Sequence, residues 1–157
     1  MIQRIQSVFL GTMAILMALF FFLPVWEKQD KQSGEQIIIN SLGMIHSKGE
    51  TIIQEKDAVY IFILAFASVV VSVLSLFSYK NRPRQILLGL VNSLLIAIAI
   101  VASALLIADA EKILSPAERG SFKIGMFLPI AALVLNMLAN RFIRKDENLV
   151  RSADRLR

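Results

Sequence analysis

Few side chains in the apolar stretches of this chain are equipped for chemistry, and the ones that stand out are amides. Asn92 and Asn136 lie inside long uncharged runs, and Asn140 sits nearer the end of the last run. A carboxamide brings two N–H donors and an acceptor, and away from water these seek protein partners. The default expectation is a hydrogen-bonded link between the third and fourth helices or between subunits, worth about 0.5–2 kcal/mol. The alternative is a polar path near Asn92 and Asn136 in a small transporter or channel component. No ionisable residue lies within the apolar cores, where a membrane enzyme or proton-coupled carrier normally keeps one because its chemistry needs the charge. His46 is the single histidine and falls in a polar loop, where it is expected to be solvated. One histidine there cannot supply a span-to-span pair of haem ligands. Cysteine is absent, which excludes disulfides, thiolate metal sites and thiol exchange. There is no Gly-x-Ser-x-Gly elbow, phosphate-binding glycine loop, His-Glu-x-x-His or zinc spacing. The residues therefore point to a chain that is not an enzyme, with no catalytic, cofactor or metal site and no cofactor.

The elements that must carry those amides follow from hydropathy. Of 157 residues, 56% are hydrophobic, outside the usual composition of a soluble domain. The expected fold is an all-α membrane protein, a four transmembrane helix bundle forming one domain over residues 1–157. The spans are read at about 5–26, 58–78, 86–108 and 122–142, joined by a loop at 27–57, a basic turn at 79–85 and a loop at 109–121, with a basic tail at 143–157. The first run is too long for a secretory signal and lacks small residues for cleavage around Phe20-Phe21-Phe22-Leu23-Pro24-Val25. Trp26 suits the membrane interface. Within the first loop, Ile37-Ile38-Ile39 and Ile52-Ile53 flank Ser47-Lys48-Gly49-Glu50, a pattern compatible with a small extracytoplasmic β-hairpin. Three stripes of small residues, Gly11/Ala14/Ala18, Ser68/Ser72/Ser75 and Gly89/Ser93/Ala97, mark faces where helices can approach closely. Pro129 is expected to kink the fourth helix.

Charge orients the spans. Four crossings put both termini on one side, which collects ten Arg and Lys against seven on the other. Short basic segments face the cytoplasm, so a bacterial inner-membrane protein with cytoplasmic N and C termini is expected. The net charge of +5 lies beside apolar spans, where anionic headgroups are nearer partners than nucleic acid. Lys80, Arg82 and Arg84 of the turn and Arg141, Arg144, Lys145, Arg151, Arg155 and Arg157 of the tail form one basic cytoplasmic surface, the candidate contact for a protein partner or anionic lipid. On a helical wheel the tail places Phe142, Leu149, Ala153 and Leu156 on one stripe.

Both ends of the chain also carry a resemblance. Met1-Ile2-Gln3-Arg4-Ile5-Gln6 at the start, and Ala139-Asn140-Arg141-Phe142-Ile143-Arg144-Lys145-Asp146-Glu147 with Val150 to Arg157 at the finish, resemble a family of uncharacterised four-span membrane proteins of Bacteroidetes type, the domain-of-unknown-function family four-two-nine-three. The resemblance implies an inner-membrane location and four helices, and it carries no catalytic residue across. The functional expectation is a non-enzymatic membrane subunit or assembly factor of an inner-membrane complex, contacting a partner through its basic face.

Overall fold

The computed structural model describes residues 2–30, 33–79, 81–113 and 119–155; the side chains of 2–5, 149–151 and 153–155 are not described. Four helices and a five-stranded antiparallel sheet make up the fold. This corrects the all-α expectation: the architecture is mixed α/β, and what was read as a loop with one hairpin is most of a sheet.

Helix α1 covers Ile2–Leu19. The uncharged run continues to Trp26, but Pro24 disfavours helix at the residue before it, and the chain turns at Phe20–Phe22. Trp26 is not an interfacial anchor: it opens strand β1 (Trp26–Asp30) and is 1% exposed, its indole lying against Gly120 so closely that any side chain there would overlap it. Strands β2 (Glu35–Ile39), β3 (Gly43–Lys48) and β4 (Thr51–Asp57) follow as a meander, and β5 (Ser121–Phe122) pairs with the free side of β1, giving the order β4-β3-β2-β1-β5. The Lys48-Gly49-Glu50 turn does form, with Gly49 at φ +61°, a conformation that glycine adopts without steric cost. The strands it joins are β3 and β4, however, so Ile37–Ile39 and Ile52 pair with opposite sides of β3 instead of with each other, and Ile53 falls at the register shift.

One face of the sheet is buried in two cross-strand rows, Trp26–Ile39–Met44 and Lys28–Ile37–His46. Side chains two apart along a strand share a face, so this alternation fixes the register against the helix ends. His46 is accordingly 6% exposed and its Nε2 lies 3.2 Å from Glu35 Oε2, which corrects the expectation of a solvated loop histidine.

Helices α2 (Val59–Phe77), α3 (Arg82–Glu111) and α4 (Ile124–Arg155) complete the chain. α1 packs against α2 and α4, and α3 packs against the same two, so neighbours around the ring run antiparallel. The C-termini of α1 and α3 and the N-termini of α2 and α4 meet the sheet; the opposite end carries the basic turn and the tail. α2, α3 and α4 are long and apolar enough to cross a membrane, and the part of α1 with described side chains, Gln6–Leu19, is also apolar. α4 continues through Pro129 as one helix as far as Arg155, so the described part of the tail extends the last apolar helix.

The distribution of polarity is inverted relative to a soluble core. α2 buries Ser68, Ser72 and Ser75 and exposes Ile63, Phe66 and Val70; α3 buries Asn92 and Ser103 and exposes Leu94, Val101 and Leu105. Apolar side chains outward and small or polar ones inward is the pattern of helices whose solvent is lipid. On α1 the packed line is Leu10, Met13 and Met17, continued by Phe20 of the turn, while the expected Gly11/Ala14/Ala18 stripe lies at its half-buried flank.

Candidate functional site

The three asparagines sit at the helix junctions midway to the basic end. Asn92 of α3 is 1% exposed and donates through Nδ2 to Ser72 Oγ of α2 at 3.0 Å, with Met13 Sδ of α1 at 3.5 Å. Ser72 in turn donates to the Ser68 carbonyl at 2.6 Å. Asn136 of α4 repeats the arrangement one interface along: Nδ2 reaches Ser93 Oγ and the Gly89 carbonyl of α3, both at 2.7 Å, and Ser93 donates to the Gly89 carbonyl at 3.1 Å. In each case an amide donates to a serine whose hydroxyl is bonded back to its own helix, so the serine becomes an oriented acceptor. Asn136 thus joins α3 to α4, and Asn92 joins α3 to α2 and α1, an interface that sequence reasoning had not assigned to it. Among the described residues the carboxamide oxygens of Asn92, Asn136 and Asn140 are buried without a donor.

Asn140 is 7% exposed and has no hydrogen-bond partner among the described residues. Its carboxamide lies directly on Gly89, where a Cβ would collide with it. The contact explains why glycine stands in the middle of an apolar helix despite its cost there of about 1 kcal/mol. Gly89 therefore does two things that its place in a small-residue stripe only partly signals: it lets Asn140 approach, and its carbonyl is held by Asn136.

The basic end begins where Asn81 caps α3, its Oδ1 accepting from the Arg84 N–H at 3.1 Å, with Pro83 in the first turn. Gln85 Nε2 donates to the Ser75 carbonyl at 3.2 Å and draws the turn against α2. Arg82 is not part of a free basic surface: Nη2 pairs with Asp146 Oδ2 of α4 at 2.9 Å, both side chains mostly buried. Phe9 and Phe142 stack nearby, ring centroids 5.6 Å apart, so the tail is fastened to α1 and α3 by an aromatic contact and an ion pair. Of the expected stripe, Phe142 alone has a described side chain. Arg84, Arg141, Arg144 and Lys145 are exposed and in no ion pair among the described residues. The side chains of Arg151 and Arg155 are not described, and Lys80 and Arg157 lie outside the described residues.

At the sheet end, sequence reasoning missed Lys28. It is 2% exposed, and its Nζ donates to the Glu111 carbonyl at 3.0 Å, a cation placed on the carbonyl end of α3. The alternation of β1 was its only signal, and that strand is too polar to stand out. Among the described residues no group of three or more His, Cys, Asp or Glu could hold a metal ion.

Residues 2–156 match the family described as Domain of unknown function (DUF4293). No curated protein matches the chain. The chain belongs to the DUF4293 family, whose match extends over both the sheet and the helices.

Proposed function

We propose that this DUF4293 protein is a non-enzymatic integral membrane subunit or assembly factor of a complex in the bacterial inner membrane, with both termini in the cytoplasm and its basic end facing a partner. The observation that carries the reading is a division of labour among polar groups. The N–H donors of Asn92 and Asn136 are engaged in holding helices together, whereas Arg84, Arg141, Arg144 and Lys145 at the basic end are unpaired among the described residues. Buried amides that bond across helices stabilise a scaffold, and exposed cations remain for recognition. A second contact on the far side is supported by β4, whose outer edge is unpaired among the described residues and whose Ile52 and Ile53 are 60% and 52% exposed. An edge of that kind accepts an added strand.

The test is purification of tagged protein from membranes in a mild detergent, with mass spectrometry of what accompanies it. A partner recovered with the wild-type chain and lost with the Arg84→Glu, Lys145→Glu variant supports the reading; recovery of free protein alone, under conditions that preserve known complexes, contradicts it. The alternative, a small transporter or channel component, draws on the donor-free oxygens of Asn92 and Asn136 and the buried hydroxyls of Ser68 and Ser75, which ordered water could join into a path. Replacing both asparagines by leucine abolishes ion flux in proteoliposomes on that reading, and alters stability or assembly on the scaffold reading.

A further inference from the structure

Between α3 and α4, on the basic half of the molecule, a groove of about 410 Å³ is lined by Leu90 and Ser93 from one helix and by Met137, Asn140, Arg141 and Arg144 from the other. Its lining changes character along its length. Leu90 and Met137 are 49% and 54% exposed and offer an apolar seat on the side of the membrane core. Arg141 and Arg144 follow Met137 toward the basic end, about 6 and 10 Å further along α4 at 1.5 Å per residue. At the base of the groove lies Asn140, more than nine-tenths buried and against Gly89; its Oδ1 is buried without a donor, and its Nδ2 has no acceptor among the described residues.

We infer that this groove binds one anionic glycerophospholipid of the phosphatidylglycerol type. Arg141 and Arg144 hold the phosphate, the Asn140 amide donates to it, and an acyl chain lies along Leu90 and Met137. Two unpaired guanidinium groups with a neutral amide suit a net negative headgroup; a zwitterionic lipid would bring its ammonium against the same arginines. The gradient from apolar to basic follows the order in which a lipid presents tail and phosphate, and basic pockets between helices on the cytoplasmic side are where such headgroups dock. The inference rests on the helices being in a membrane, and not on the partner contact: loss of a partner with Arg84→Glu, Lys145→Glu leaves it standing, and loss of the lipid leaves the partner reading standing.

The test is native mass spectrometry of the full chain in neutral detergent, titrated with dioctanoyl phosphatidylglycerol, dioctanoyl phosphatidylcholine or inorganic phosphate. The expected result is a single phosphatidylglycerol adduct, about tenfold tighter than phosphatidylcholine, and no phosphate adduct. Arg141→Gln with Arg144→Gln weakens it about tenfold, while Arg84→Gln, which removes a cation outside the groove, changes it by less than about twofold. Met137→Trp keeps all three polar groups and fills the apolar seat; it too loses about tenfold, and a melting curve on each variant reports folding. Equal binding of the two lipids, equal loss with Arg84→Gln and the double variant, or wild-type binding by Met137→Trp overturns the inference.

Discussion

The two ends of the helices are built on opposite plans. At the sheet end every helix terminus meets a common layer, in which Trp26, Ile37, Ile39 and Met44 are buried and the backbone is bound by strand pairing. Lys28 reaches the carbonyl end of α3, and Val25 N–H and the Pro24 carbonyl bond to the Ile39 carbonyl and Gly125 N–H at 2.8 and 3.0 Å. At the basic end the fastenings are of another kind and include the Arg82–Asp146 pair, the Phe9–Phe142 stack, the Gln85 bond and the Asn81 cap. Large apolar side chains are buried at the capped end, and among the described residues unpaired cations, Arg84, Arg141, Arg144 and Lys145, gather at the other. A molecule so divided can hold its helices from one side while offering the other for contact.

The division is broken most severely at the cap. Trp26→Ala removes the largest buried side chain from the sheet and is expected to cost about 3–5 kcal/mol, read by thermal unfolding in detergent. Next is the junction between the halves: Gly89→Val drives a side chain into Asn140 and is expected to cost about 1–3 kcal/mol, with the α3–α4 pair loosened in hydrogen exchange. Asn92→Leu leaves Ser72 Oγ without its donor and is expected to cost about 0.5–2 kcal/mol, measured by unfolding in mixed micelles. The smallest effect belongs to the basic end. A double-mutant cycle on Arg82→Gln and Asp146→Asn is expected to give a coupling of about 0.2–1 kcal/mol that shrinks at high salt. A coupling at Arg82 larger than the loss at Trp26 would reverse the comparison.

The contrast also explains what could be read from the sequence. Long uncharged runs bounded by charges mark α2 and α3, since crossing lipid demands length and hydropathy that few other structures need. The sheet was hidden because its strands are short and mixed: β1 reads Trp-Glu-Lys-Gln-Asp, and β5 has two residues. β3 has one β-branched residue, Ile45, so Ile37–Ile39 and Ile52–Ile53 looked like neighbours when the strand between them separates the two. Trp26 was assigned to the interface by its type, whereas its position at the head of β1 gives it to the core. At the candidate site the asparagines stood out as polar atoms in apolar runs, but the serine acceptors, the Asn140–Gly89 contact and the pairing of Arg82 with Asp146, 64 residues away, depend on tertiary placement that no spacing reveals.

The proposed topology puts the sheet and the basic end on opposite sides of a membrane, and the lack of cysteine makes that placement directly measurable. Single cysteines at Glu50, in the β3–β4 turn, and at Arg84, in the basic turn, can be probed in spheroplasts with a membrane-impermeant maleimide. The account predicts labelling of Glu50→Cys in intact spheroplasts and of Arg84→Cys only after lysis. Labelling of Arg84→Cys from outside, or of both positions from the same side, would contradict it.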